Sequence, residues 1–97
     1  MEQRNYYIVL YDFYGNLLSE KQKEYFEYYY FDNLSLGEIS ENLNISRNAI
    51  HKSLKNIEEK LELYEEKLQL YKKRLELDKI LEKVDLNIRK EIERVIE

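Results

Sequence analysis

Apolar residues recur at helical spacing along the second half of the chain, where they alternate four and three positions apart without interruption. The positions are Ile50, Leu54, Ile57, Leu61, Tyr64, Leu68, Tyr71 and Leu75. This heptad pattern predicts one long helix over about residues 47–75. A further apolar face predicts a C-terminal helical segment over about residues 78–96, for which Asp78 and Asp85 are the candidate N-caps.

Two helix starts lie eleven residues apart ahead of this pattern, a spacing typical of a helix-turn-helix. Ser35 and Glu38 form a capping box, Ser46 can cap the following helix, and Asn44 tolerates the left-handed conformation that a tight turn needs. Apolar residues fall where two steeply crossing helices would bury them together: Leu36, Ile39, Leu43, Ile45, Ile50 and Leu54. The sequence therefore predicts a helix-turn-helix over about residues 35–55.

The N-terminal third also has a helical pattern. Apolar spacing predicts a first helix that ends at Gly15 as its C′ residue, and a capping box of Ser19 and Gln22 predicts a second helix over about residues 20–30. Proline is absent and Asp32 and Asn33 follow the second helix. The ten tyrosines mostly recur at spacings of three and four, so we expect them in the core, with Tyr28 the most exposed. Together these patterns predict a single all-α domain over residues 1–97.

Polar residues at the start of the second helix of the helix-turn-helix are the candidate binding residues. They are Arg47, Asn48, His51, Lys52 and Lys55. In DNA-binding modules this helix enters the major groove N-terminus first, and such side chains donate hydrogen bonds to phosphates and base edges. No acidic residue follows Arg47 until Glu58. The alternative, that the helix-turn-helix contacts only protein, remains open.

Charge limits how strongly such a protein can bind nucleic acid. The chain has a net charge of -4 and a pI of about 5.2. Residues 1–45 include 3 basic and 8 acidic residues, whereas residues 46–97 include 13 basic and 12 acidic residues. Because phosphate neutralisation supplies most non-specific affinity, we expect binding to be local, modest and sensitive to salt.

The composition gives little indication of a catalytic or metal-binding site. The chain has no cysteine and one histidine, His51, which has no partner ligand nearby in the sequence, so no metal or cofactor is expected. Acidic pairs such as Glu58-Glu59 and Glu65-Glu66 are expected on exposed helical faces, and glycine-rich phosphate loops are absent. The protein is therefore expected to be non-catalytic. No apolar run has the length of a signal peptide or membrane span, which predicts a cytoplasmic protein without membrane insertion.

The heptad pattern continues past the region that the helix-turn-helix can cover, which predicts self-association. The expected homodimer interface consists of Leu61, Tyr64, Leu68 and Tyr71. A third apolar row, at Leu63, Leu70 and Leu77, widens the stripe and indicates more than one neighbour. The C-terminal segment is the other expected neighbour, and a competing possibility is that it folds back and covers the whole stripe.

Four segments resemble the YlxM family of small bacterial helix-turn-helix proteins: LYDFYGNLLSEKQ at residues 10–22, YYFDNLSLGEI at 29–39, ISRNAI at 45–50 and YEEKL at 64–68. The likeness runs from about residue 6 to residue 72 and is most specific over residues 11–22. The helix-turn-helix alone would also resemble the promoter-binding region of sigma factors. This chain departs from the usual family pattern at three places. It has Asn48 where the family has glutamine or a similar residue, Ser40 where the family has alanine, and Lys55-Asn56 where the family has a Lys-Arg pair.

The resemblance implies a sigma-like helix-turn-helix bundle with a long helix, in proteins encoded beside the signal recognition particle genes. Family members are thought to be accessory or regulatory factors of that pathway, acting through its RNA or its protein subunit. We therefore expect a non-catalytic protein that binds signal recognition particle RNA or protein. The alternatives are a transcriptional regulator that binds duplex DNA and a protein-interaction adaptor that does not bind nucleic acid.

Overall fold

The computed structural model of the chain describes residues 3–97, and these residues form helices without any β-strand. The helices are α1 (Gln3–Tyr14), a 3-10 turn (Gly15–Leu17), α2 (Glu20–Tyr30), α3 (Leu36–Leu43), α4 (Arg47–Leu68), α5 (Leu70–Leu81) and α6 (Leu86–Ile96). The predicted all-α fold class is confirmed.

The predicted caps of the helix-turn-helix are confirmed. The Ser35 hydroxyl accepts the Glu38 N–H at 3.1 Å, and the Glu38 carboxylate accepts the Ser35 N–H at 2.9 Å. Asn44 ends α3 with a φ of 56°, and Ser46 caps α4 by accepting the Ala49 N–H. Two hydrogen-bonded caps and a left-handed turn therefore position the two helices, as the local sequence indicated.

The N-terminal helices also follow the prediction, with one difference at Gly15. The capping box of Ser19 and Gln22 opens α2. Gly15 follows α1, but it starts a 3-10 turn, and neither glycine of the chain has a positive φ. A Cβ atom at Gly15 would lie 3.1 Å from the Tyr11 ring. Glycine is therefore favoured here by the close approach of a side chain and not by a left-handed C′ conformation.

α4 is the central helix, and α1, α2 and α3 pack around it. From the helix-turn-helix, Ile39, Ile50 and Leu54 are buried. Leu36, Leu43 and Ile45 are half-buried against the same core, so the predicted packing of this unit is confirmed. The other buried members of this core are Tyr7, Leu10, Tyr14, Leu18, Tyr25, Phe26, Tyr30, Ile57 and Leu61.

The prediction of one continuous helix over residues 47–75 is wrong, because the helix is interrupted at Gln69. This residue has φ 54° and ψ 33°, so α4 ends at Leu68 and α5 starts at Leu70. The Glu65 carboxylate accepts the N–H groups of Tyr71 and Lys72, each at 3.1 Å. The Tyr14 hydroxyl accepts the Leu70 N–H at 2.9 Å. These two side chains cap α5, and they satisfy the amide groups that the break would otherwise leave unpaired.

The C-terminal segment forms two helices and does not cover the heptad stripe. Asp85 caps α6 by accepting the N–H groups of Asn87 and Ile88, as predicted, whereas Asp78 lies inside α5 and pairs with Arg74 at 3.0 Å. No residue of α6 is buried. The described residues span 53 × 24 × 24 Å with a radius of gyration of 16.7 Å, larger than the roughly 13 Å of a compact chain of this size.

Candidate nucleic-acid interface

The structure brings the five predicted binding residues together on one exposed face of α4, within its first nine residues. Arg47, Asn48, His51, Lys52 and Lys55 are all exposed. Their spacing keeps them within an arc of roughly 140° around the helix axis. The neighbouring face of the same turns carries Ile50 and Leu54 into the core.

Electrostatically, this helix start differs from those of α2 and α3. The first turns of α2 and α3 carry Glu20 and Glu38, which complement the positive end of the helix dipole, while the first turn of α4 has no acidic residue. Within residues 3–97, no ion pair joins Arg47, Lys52 or Lys55 to a carboxylate. The start of α4 is therefore a place where a bound anion would interact favourably with both the dipole and the side chains.

Arg47 connects the two helices of the helix-turn-helix. A Cβ atom built at Gly37 would lie 3.6 Å from the Arg47 guanidinium, an ordinary contact distance. The guanidinium thus lies against the first turn of α3, beside the Ser35 cap. The Arg47 side chain therefore bridges the start of α4 and the first turn of α3.

His51 and Lys55 line a cleft of about 110 Å³ together with Tyr29 of α2, Leu36 of α3, and Leu54 and Glu58. The cleft is too small for an organic cofactor, which typically needs a pocket of about 300 Å³ or more. No local sequence pattern marks Tyr29 as part of this cleft, because its approach to α4 depends on how α2 packs. The chemistry available here is hydrogen bonding and charge.

Carboxylates of α4 form a ladder with tyrosine hydroxyls of α1 and α2. Tyr30 donates to Glu58, Tyr7 donates to Glu62 at 2.6 Å, and Tyr14 donates to Glu65 at 2.5 Å. The expectation that Glu58 and Glu65 lie on exposed faces is wrong, because both are half-buried. The Tyr–Glu ladder fixes the rotation of α4 about its own axis, and so it fixes the direction in which the face beginning at Arg47 points.

The same ladder changes the acidity of its tyrosines. Burial, and then the hydrogen bond to Glu62, raises the pKa of Tyr7 to about 12. Burial, and then the hydrogen bond to Glu65, raises the pKa of Tyr14 to about 12. Both hydroxyls therefore keep their protons, and act as donors, to a higher pH than an exposed tyrosine does.

Arg4 is another contact that sequence patterns did not identify. Its guanidinium donates to the Tyr29 carbonyl at 2.6 Å and to Asn33 Oδ1 at 2.8 Å, and it lies 4.9 Å from the centre of the Tyr30 ring. Arg4 thereby ties α1 to the C-terminal end of α2. Tyr28, expected to be the most exposed tyrosine, is half-buried and packs against the core.

The predicted dimer interface is only partly accessible. Leu61 is fully buried within the chain, so its assignment to an interface with a second copy is wrong. Tyr64 packs beside Tyr14, and Tyr71 packs beside Tyr6 and Phe13 of α1. α1 covers this part of the stripe because its aromatic residues fill the space that a partner was expected to fill. Leu68 remains 46% exposed, and the dimer itself stays a prediction.

Two further observations concern sites of other kinds. Within the described part of the chain, residues 3–97, no three histidine, aspartate or glutamate side chains come together as metal ligands. Among the helices of those residues, none combines the length and the apolar character that crossing a membrane requires.

The exposed cationic start of α4, placed after a capped α3 and a left-handed turn, defines a helix-turn-helix protein. Comparison with known families agrees, since the family model UPF0122, described as "Putative helix-turn-helix protein, YlxM / p13 like", matches residues 1–97. The chain belongs to this family, which confirms the resemblance seen in the sequence. The description is that of a helix-turn-helix protein and not of an enzyme, and it supports a nucleic-acid-binding regulatory role without naming a target.

Similar proteins include a UPF0122 protein of Listeria innocua, 42% identical over 89 residues, which cover 92% of this chain and 81% of that protein. A UPF0122 protein of Caldanaerobacter subterraneus is 57% identical over 51 residues, 53% of this chain and 44% of that protein. A UPF0122 protein of Thermoanaerobacter sp. is 58% identical over 50 residues, which cover 52% of this chain and 43% of that protein. The matched segment thus spans less than half the length of the latter two relatives.

Proposed function

We propose that this chain is a regulatory protein that binds nucleic acid through the first nine residues of α4, as an accessory factor of the signal recognition particle pathway. The observation that carries the proposal is the exposed cationic face at a helix start without acidic residues. Arg47, Lys52 and Lys55 supply three charges there, and within residues 3–97 none of them is neutralised by an ion pair. Such a face is suited to phosphate oxygens.

Affinity is expected to be moderate. Each phosphate contact contributes a slope of about 0.9 to the dependence of log K on log salt, so three contacts give a slope of about −3. The rest of the protein is acidic, with a net charge of -4 for the whole chain, and this repels nucleic acid from other faces. The protein would therefore bind in one orientation, through the start of α4.

The choice of target rests on the family. Its YlxM-like members are thought to serve the signal recognition particle, which favours that particle's RNA, or its protein subunit, as the target. A transcriptional regulator that binds duplex DNA is the second candidate, favoured by the exposed N-terminal end of α4 in a helix-turn-helix. A protein-interaction adaptor is the third candidate, and it predicts no affinity for either nucleic acid.

The test compares binding of signal recognition particle RNA and of duplex DNA between about 50 and 200 mM salt, a range over which phosphate contacts lose much of their affinity. The double variant Arg47→Ala/Lys52→Ala should weaken binding and reduce the salt slope by about two units. The matched control, Lys79→Ala/Lys83→Ala, removes two charges from exposed positions far along the chain and should bind like the parent.

Each outcome decides between the candidates. Preference for the RNA supports the accessory role, and preference for duplex DNA supports the regulator. If neither nucleic acid binds, or if both double variants bind like the parent, the α4 face is not a nucleic-acid interface. Circular dichroism of both variants checks that the helices are retained, as expected for exposed side chains.

A further inference from the structure

Gln69 adopts a conformation that its side chain does not favour. Within residues 3–97, the non-glycine residues with positive φ are Asn33, Asn44 and Gln69. Asparagine adopts the left-handed region readily, because its short polar side chain bonds to the local backbone. Glutamine has no such advantage and is a good helix former. The break at Gln69 is therefore strained, and the surrounding contacts must hold it.

The apolar pattern of the sequence continues through this break as if it were absent. The heptad spacing is the same on both sides of Gln69, at Leu61, Tyr64, Leu68, Tyr71 and Leu75. In the bent chain, Leu68 and Leu75 are each 46% exposed. If α4 and α5 were joined, residues 47–81 would form one helix about 52 Å long with these residues on a single face.

The bend is held by contacts that the start of α5 makes with α1 and with Glu65 of α4, whose carboxylate accepts the Tyr71 and Lys72 N–H groups. Tyr71 packs beside Tyr6 and Phe13, with ring centres 6.2 and 6.0 Å away, and Tyr14 accepts the Leu70 N–H. Farther along, an apolar groove brings Phe13 of α1, Leu77 of α5 and Ile96 of α6 together. The groove is also lined by Leu70, Lys73 and Arg74. Ile96, at the end of α6, thus lies near the start of α5, so α5 and α6 form an antiparallel hairpin.

We propose that two copies of this chain dimerise by exchanging their α5–α6 hairpins. Gln69 becomes helical in each copy, α4 joins α5, and each hairpin packs against α1 of the other copy. The exchange remakes the contacts of Tyr71 with α1 in both copies and relieves the left-handed conformation at Gln69. It also places the exposed Leu68 and Leu75 on straight helices that can pack against each other. Exchange of identical elements about a hinge is a low-cost route to a dimer.

Substitution of Gln69, which is exposed, tests the hinge directly. Gln69→Gly removes the penalty of the left-handed conformation and disfavours the helix, so it should favour the bent monomer. Relief of the left-handed penalty should weaken dimerisation about tenfold at each hinge. Because a dimer contains two hinges, its dissociation constant should rise about a hundredfold. Gln69→Ala remains strained in the bend and is the best helix former, so it should dimerise several-fold more tightly than the parent.

Sedimentation equilibrium over a concentration series measures these constants, and circular dichroism confirms that both variants fold. The expected order of dimer affinity is Gln69→Ala, then the parent, then Gln69→Gly. Equal dissociation constants, the reverse order, or monomers at every concentration for all three proteins would overturn the proposal.

Cross-linking distinguishes exchange from side-by-side association, and the absence of native cysteine makes the labels unambiguous. Phe13→Cys is placed in one copy and Lys73→Cys in the other, because both positions line the groove between α1 and α5. In the Gln69→Ala background, a short bis-maleimide should link the two different chains, as identified by mass spectrometry. In the Gln69→Gly background it should not.

The control carries both cysteines in one Gln69→Gly chain, which should cross-link internally at low concentration. If the Gln69→Ala variants sediment as dimers but give no link between the two labelled chains, the dimer forms without exchange and the proposal is wrong.

Discussion

Tyr14→Phe should destabilise the protein strongly although it removes a single oxygen atom. Tyr14 is fully buried, and its hydroxyl donates to Glu65 at 2.5 Å while it accepts the Leu70 N–H at 2.9 Å. The phenylalanine ring fills the same space, so packing is conserved. What is lost is a hydrogen bond to a carboxylate and the partner of a backbone amide at the start of α5.

The magnitude follows from these two contacts. A hydrogen bond to a charged group contributes about 1.5–3 kcal/mol, and an amide left without a partner costs about 1 kcal/mol or more. We expect the free energy of unfolding to fall by about 3 kcal/mol, a large part of the roughly 5–15 kcal/mol that stabilises a small domain. Glu65 keeps its bonds to the amides of Tyr71 and Lys72, which limits the loss.

Tyr25→Phe is the matched control. Tyr25 is also buried, with 6% of its surface exposed, but its hydroxyl forms no hydrogen bond with another residue in the range 3–97. It should change the free energy of unfolding by about 0.5 kcal/mol or less. Urea unfolding followed by circular dichroism at low protein concentration measures both variants. A Tyr14→Phe protein within about 0.5 kcal/mol of the parent, or a Tyr25→Phe protein equally destabilised, would refute the role assigned to this hydroxyl.

Two further predictions use the same unfolding assays. The pKa of Tyr7 and of Tyr14 is raised to about 12, so above pH 10 the folded state keeps protons that the unfolded state releases. The free energy of unfolding should therefore be unaffected by these groups below pH 10 and fall as pH rises from about 10 to 12, and a flat profile would contradict this. An unpaired charge at a fully buried position should abolish the cooperative thermal transition, as expected for Leu61→Lys and for Ile39→Asp. The control Leu68→Lys places the same charge at an exposed position and should melt within a few degrees of the parent. A folded Leu61→Lys protein would show that the core is misassigned.

Elements that depend on neighbours in the sequence could be predicted. The Ser35 and Ser46 caps and the Asn44 turn each act over three or four residues, so their residue types alone indicate the helix-turn-helix. The same holds for the candidate interface. Once α4 starts at Arg47, helical spacing places His51 and Lys55 on its exposed side.

Elements that depend on distant contacts could not be predicted. Gln69 is a good helix former, and the break there depends on Tyr14, 55 positions earlier in the sequence, whose hydroxyl bonds to the Leu70 amide. The heptad pattern correctly identified an apolar stripe, but periodicity does not show which helix covers it. Here Leu61 is buried in the chain's own core and Tyr64 packs beside Tyr14 of α1, so these two residues are not available to a partner.

The charge distribution along α4 restricts how a nucleic acid could approach the proposed interface. Arg47, His51 and Lys55 lie on the same stripe of the helix as Glu58 and Glu62, because all are separated by three or four residues. The cations occupy about 12 Å of helix length, and the carboxylates begin one turn later. A strand running along α4 would meet repulsion from Glu58 onward, even though tyrosine hydroxyls bind these carboxylates. The nucleic acid must therefore cross α4 near its N-terminus, the end that helix-turn-helix proteins insert into a groove.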